Sequence, residues 1–141
     1  MPEIFRTTRR VEFCETDAAG IVHFAWLLCY MEQAEHQFQR HVGTSVMIEQ
    51  NDGSHLSWPR VRVEADFQGP ARFEDQLDIT VSVERLGSKS ITYAFDIRCE
   101  QRPIATGKST AVFSRVRIGS PMQSVEIPDC LREKFKPFVR L

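Results

Sequence analysis

The sequence predicts an α+β architecture, one antiparallel sheet with a single long amphipathic helix lying on its apolar face. Three stretches predict it. "AWLLCYMEQAEHQFQRHVG" (25–43) repeats apolar residues at helical spacing, through Leu27, Met31, Ala34, Phe38 and Val42. "LDITVSV" (77–83) and "ITYAFDIRC" (91–99) alternate apolar and polar residues with the period of two of a half-buried strand. The helix stripe needs a broad apolar surface to cover it, and the strands supply one.

Taken in order, "EIFRTTRRVEFCE" (3–15) is rich in β-branched and aromatic residues and reads as the first strand. The helix follows, roughly 25 Å long at 1.5 Å per residue. Leu28, Tyr30 and His41 border its stripe, and Gly43 is placed to end it. Residues 44–60 read as irregular, with a helical turn in "SVMIEQ" and a turn at "NDG" (51–53). From Val61 to about Ile118 the pattern is a β-meander. Leu77, Ile79, Val81 and Val83 share one face, and Ile91, Tyr93, Phe95, Ile97 and Cys99 repeat the device. "LGSKS" (86–90) is the hairpin between them, and "EQRP" (100–103) turns into the last long strand, "IATGKSTAVFSRVRI". "DCLREKF" offers a short terminal helix with Asp129 as its cap. No repeat, low-complexity tract or linker interrupts the chain, so residues 1–141 read as one domain, long enough to bury a core. One helix covers only part of a five-stranded face, and open sheet edges invite edge-to-edge dimerisation.

Composition narrows the function. The net charge of −1 indicates neither nucleic acid nor an anionic membrane as partner. Locally the balance is uneven: residues 43–84 carry three arginines against eight acids, and residues 85–117 carry seven basic residues against Asp96 and Glu100. A positive strip of that kind suits a small phosphorylated ligand, or is an ordinary solvated strand face. Cys14, Cys29, Cys99 and Cys130 show no metal-ligand spacing, and His36 and His41 stand five apart, the wrong interval for a zinc pair, so no metal is expected. No apolar run approaches the ~20 residues that span a bilayer, and no leader pattern opens the chain. The expectation is a reduced, cytoplasmic protein. Ser88 and Ser90 lack the G-x-S-x-G context of a serine hydrolase.

The chemistry concentrates at "ETDAAGIVHF" (15–24), where the first strand meets the helix. A helix opens with four backbone N–H groups that have no internal partner. His23, Phe24 and Ala25 offer no good side-chain cap apart from His23, and uncapped donors at the positive end of a helix suit an oxygen gathering negative charge. Gly20 lets the backbone bend sharply and a ligand approach. Asp17 supplies a carboxylate able to act as nucleophile or as general base. The alternative is plain packing, with Asp17 as a turn residue, Gly20 as a tight turn and His23 half-buried.

"DAAGIVHF" followed by "YMEQAE", with "EADFQGPARFEDQLDITVSVERLGSKSITYAFDI" (64–97) beyond it, resembles the 4-hydroxybenzoyl-CoA thioesterase-like branch of the hotdog-fold acyl-CoA thioesterases. The likeness runs roughly from residue 8 to 118. It implies a hotdog fold, an antiparallel sheet of about five strands wrapped around one long central helix. It also implies an acyl-CoA thioesterase with no cofactor beyond the CoA of its substrate. Carried over, it makes Asp17 the catalytic carboxylate and the Phe24 backbone N–H the group that polarises the thioester carbonyl, with Gly20 shaping the turn. It implies a homodimer or homotetramer with active sites at subunit interfaces, and a basic residue near the CoA phosphates at Lys89, with Arg85 or Arg98 in reserve. Many relatives place a His where this chain has Phe24. The order His23–Phe24 leaves the backbone donor intact, and with Trp26 suggests a bulkier, more apolar acyl pocket.

Glu35 and Glu32, on the helix, are alternative carboxylates, since a second hotdog branch uses a helix acid; a solvated or ion-paired glutamate is the competing reading. Two other functions compete: a hotdog enoyl-CoA hydratase or dehydratase working through Asp17 and His23, and a non-catalytic acyl-CoA binder. Trp26, Phe24, Trp58 and Phe67 would line a pocket for an aromatic or medium-chain acyl group.

Overall fold

Alternation along the strands sets the layers. The structure, a computed structural model, describes residues 1–140. Nine strands and two α-helices form: β1 (Phe5–Arg10), α1 (Phe24–His41), β2 (Met47–Glu49), β3 (His55–Ser57), β4 (Arg60–Phe67), β5 (Gln76–Leu86), β6 (Ser90–Cys99), β7 (Arg102–Val112), β8 (Ser114–Val116), β9 (Gln123–Ser124) and α2 (Asp129–Phe135). The main sheet is antiparallel in the order β1-β5-β6-β7-β4. In register, Val81 lies beside Phe95 and Ile97 beside Ile79, so the apolar faces of β5 and β6 coincide, as their alternation requires. This is the hotdog arrangement, with α1 seated on that face.

The helix stripe is buried as expected. Leu27, Met31, Ala34 and Phe38 are in the core, joined by Tyr30. Phe38 sits at its centre, with Phe5, Tyr93, Phe135 and Phe138 around it at ring separations of 4.8–6.0 Å. Gly107 on β7 allows the approach of helix to sheet: a Cβ there would stand 2.6 Å from Met31 Sδ. At the far end Gly43 adopts φ +86° and closes the helix.

Several elements differ from the sequence reading. The first strand stops at Arg10, and Phe13–Glu15 form a 3-10 turn, because the Glu15 carboxylate reaches back to the Glu12 N–H at 2.8 Å. The helical turn expected in "SVMIEQ" is instead β2, which pairs with β3 and through it with β8 and β9 in a small second sheet. Pairing partners absent from the local sequence override its helical appearance. β4 is not a neighbour of β5: β1 holds that edge, so β4 pairs with the free side of β7. Asp129 is the first helical residue of α2 rather than its cap. The Pro128 carbonyl accepts from Leu131 and Arg132 instead. Trp58 is a core residue against Phe113 and Phe135, not a pocket wall.

Phe38→Ala empties the centre of this packing. Urea unfolding of the variant is expected to show a loss of about 3–5 kcal/mol. A loss below about 1 kcal/mol would mean the helix is not held by this stripe.

Candidate active site

The junction folds into a small hairpin across residues 15–23. His23 N donates to the Glu15 carbonyl (2.9 Å), Thr16 bridges Val22, and Asp17 N donates to the Ile21 carbonyl (2.8 Å). Gly20, at φ +77°, makes the reversal, a conformation other residues adopt only with strain. Val22 N is tied to the Ala71 carbonyl (2.8 Å), which anchors the hairpin to the "PARF" segment. At its tip Asp17 Oδ1 accepts from Ala19 N (2.8 Å), and among the described residues Oδ2 has no partner. One carboxylate oxygen is held, and the other is free to react.

The helix start differs from expectation in one respect. His23 is its cap: Nδ1 accepts from Ala25 N at 3.1 Å, and the His23 carbonyl accepts from Trp26 N at 2.9 Å. With His23 N bound to the Glu15 carbonyl, three of the four opening donors are met and one is left. Among the described residues the Phe24 N–H meets no acceptor. A single unsatisfied donor therefore stands at the positive end of an 18-residue helix, where it favours developing negative charge. The His23 ring stacks on the Phe24 ring at 4.7 Å. The Phe24 ring is 57% exposed and meets Phe67 edge-on at 6.2 Å, with Phe67 itself 52% exposed. Two exposed aromatic rings thus meet at the start of the helix.

The alternative carboxylates lie elsewhere. Glu35 is eleven residues beyond Phe24, about 16 Å along the helix axis. It is 1% exposed, and both its oxygens accept from Arg60 Nη2, at 3.1 and 3.2 Å. Glu32, at the surface, contacts Arg60 at 3.5 Å. These residues fasten α1 to the start of β4. Burial pushes the Glu35 carboxyl from an ordinary value near 4.5 up to about 7, against the pull of Arg60 and with the help of Glu32.

Lys89 and Arg85 are exposed at the β5–β6 hairpin. The 15–23 hairpin follows Arg10, which pairs with Gln76 at the other end of β5, roughly 30 Å away by strand rise. Within one protomer the structure does not bring them to Asp17. The positive strip is also partly neutralised by ion pairs: Arg98 meets Asp96, Arg102 meets Asp75, Lys108 meets Glu84 and Arg117 meets Asp52. Glu15, Tyr30 and Arg9, which converge behind the hairpin, were not singled out by sequence. No motif marks a buried carboxylate before its partners are known.

Fold and junction together define a hotdog thioesterase. The model of the thioesterase-like superfamily matches residues 11–135, and the chain belongs to that family. It is a thioester hydrolase. A 1,4-dihydroxy-2-naphthoyl-CoA hydrolase of Synechococcus elongatus is 28% identical over 120 residues, covering 84% of this chain and 88% of that one. The protein of that name from Prochlorococcus marinus strain MIT 9303 is 31% identical over 108 residues, 72% of each chain. Among solved structures, a gentisyl-coenzyme A thioesterase superposes with TM-score 0.78 at 28% identity, covering 94% of this chain and 99% of that one.

The Glu35 pair carries a pH signature. Between about pH 4.5 and 7 the folded chain holds a proton that the unfolded chain has released. Stability contributed by protonated Glu35 is complete below that window and is lost as pH rises through it. Glu35→Gln removes the titration. Relative to the variant, the wild type is expected to lose about 1–3 kcal/mol between pH 5 and 8 in denaturant unfolding. A gap that does not change with pH would contradict the assignment.

Proposed function

We propose that the protein hydrolyses an aryl-CoA thioester to the free aromatic acid and CoA, with Asp17 as the catalytic carboxylate and the Phe24 N–H as the donor to the thioester oxygen. The unsatisfied Phe24 N–H beside a hairpin that carries a half-free carboxylate is the observation that supports this reading. Asp17 Oδ2 either attacks the carbonyl carbon, giving a mixed anhydride that water resolves, or takes a proton from the water that attacks. In both routes the carbonyl oxygen gains negative charge, the C–S bond breaks, and the CoA thiolate leaves and is protonated. A donor of this kind is worth about 3–4 kcal/mol where the oxyanion forms. The exposed rings of Phe24 and Phe67 favour an aromatic acyl group, in keeping with the naphthoyl and gentisyl thioesters named for the relatives. The hydratase alternative asks His23 for acid–base work, yet its Nδ1 is committed to Ala25 N.

A second copy of the chain completes the site. β4 ends the sheet with an unpaired edge and exposes Val61, Val63 and Phe67 among Arg62, Glu64 and Asp66, charges of both signs, whereas the opposite edge, β1, exposes Arg6 and Arg10, charges of one sign. Like charges set opposite one another resist pairing, whereas apolar residues and charges of opposite sign favour it. Pairing of β4 with β4 of a second protomer covers these residues and shelters Asp17 and Phe24, both open to water in one protomer. Lys89 and Arg85 reach CoA phosphates only from a neighbouring protomer of a dimer or tetramer.

Thiol release from benzoyl-, gentisyl- and 1,4-dihydroxy-2-naphthoyl-CoA tests the chemistry. Asp17→Asn is expected to cost about 10²–10⁴-fold in kcat. Undiminished release by the variant would overturn the assignment of Asp17. Label in the Asp17 carboxylate after single turnover in H₂¹⁸O would establish the anhydride route, with water attacking the aspartyl carbon. Light scattering is expected to show at least a dimer, reduced to monomer by Val63→Asp with loss of thiol release. A fully active monomer would contradict the shared site.

A further inference from the structure

Behind the hairpin lies a polar cluster that the proposed chemistry does not use. Glu15 is 2% exposed, yet its carboxylate is met by three donors. Oε1 accepts from the Tyr30 hydroxyl at 2.7 Å and from Glu12 N at 2.8 Å, and Oε2 pairs with Arg9. Arg9 also bonds Gln33 on α1 and lays its guanidinium over the Tyr30 ring, 4.6 Å from the centroid. Tyr30 is itself buried, and burial together with the Glu15 charge pushes its phenol above the ordinary range, so it stays a donor at every working pH.

The same residue is attached at a second point. The Glu15 carbonyl accepts from His23 N, the residue that caps α1. Glu15 therefore grips α1 twice, at its cap through the main chain and at its second turn through Tyr30. Asp17 follows two residues later on the same strand of the hairpin. Burying a carboxylate is costly unless every lone pair is met, and here the cost is offset by bonds that all converge on the junction.

Resting on the reading of Asp17 and Phe24 given above, we infer that Glu15, braced by Tyr30 and Arg9, is a positioning residue that holds the Asp17 carboxylate in register with the Phe24 N–H. Neither Glu15 nor Tyr30 touches the substrate. A misplacement of about 1 Å between reacting groups costs on the order of 10²-fold in rate. The signature is a fall in kcat with KM little changed, because binding of CoA and aryl group does not depend on that register.

Steady-state thiol release from the best aryl-CoA of the panel tests this with Tyr30→Phe, Glu15→Gln and Glu15→Ala, each assayed at least 10 °C below its own Tm, beside Asp17→Asn. Tyr30→Phe removes one donor and leaves Arg9 and Glu12 N in place, so it is the variant expected to lose least stability and to stay folded at the assay temperature. It is expected to lower kcat about tenfold or more, with KM within about twofold. Glu15→Gln, which keeps the length and an acceptor for Tyr30, is expected to recover several-fold more kcat than Glu15→Ala. If kcat in Tyr30→Phe and Glu15→Ala stays within about twofold of wild type while only Tm falls, the cluster is scaffold and the inference is overturned. If KM rises as much as kcat falls, it is overturned as well. Asp17→Asn separates the two claims: full activity there sinks the reading of the site, whereas an inactive Asp17→Asn beside an unaffected Tyr30→Phe sinks this inference alone.

Discussion

Burial of one helix stripe on one sheet face is the constraint from which the rest follows. Leu27, Met31, Ala34 and Phe38 must leave water together, and the apolar faces of β5, β6 and β7 receive them. That docking fixes the axis of α1, and a fixed axis fixes where its first N–H groups point. A helix cannot satisfy its own first donors. In this chain His23 takes one with its ring and one with its carbonyl, and the Phe24 N–H is left over. The donor proposed to polarise the thioester is therefore a remainder of helix geometry, located by packing some distance away.

The polar residues on the buried side of α1 follow from the same constraint. Glu35 and Gln39 face inward at positions where an apolar side chain would pack more cheaply. Arg60 answers Glu35, and the Tyr93 hydroxyl accepts from Gln39 Nε2 at 2.8 Å. Such buried pairs seldom add net stability, but they fix one geometry over its neighbours. Arg60 stands at a register shift at the start of β4, so its hold on Glu35 ties the open edge strand to the helix. Phe67, at the other end of β4, thereby comes to face Phe24.

Much of this was legible in the sequence where a period exists. The spacing of Leu27 to Val42 marked α1, and the alternation of Leu77 to Val83 and Ile91 to Cys99 marked β5 and β6, because half-buried elements write their faces into the chain. β2 and β3 have three residues each, too few to show a period, and their pairing with β8 is non-local. The place of β4 beside β7 follows from the occupation of the β5 edge by β1, which no local pattern records. Within the candidate site, the turn at Gly20 and the helix start at Phe24 were legible from the junction, while the roles of Asp17 and the Phe24 N–H come from the family resemblance and stand as proposed. Glu35 reads as an alternative carboxylate or as a solvated or ion-paired glutamate until Arg60 arrives from another strand, and Lys89 reads as a ligand for phosphate until the length of β5 separates it from Asp17. Charge in a sequence carries no address.

The central claim, that the Phe24 N–H polarises the thioester carbonyl, is open to direct measurement. Asp17→Asn, loaded with a ¹³C=O-labelled aryl-CoA that it cannot turn over, allows the bound carbonyl to be observed by isotope-edited infrared difference spectroscopy. A strong hydrogen bond at the helix terminus predicts a carbonyl stretch shifted to lower frequency than that of the same thioester in water. A bound carbonyl with the frequency it has in water, or higher, would contradict the account and leave the free N–H without a role in the reaction.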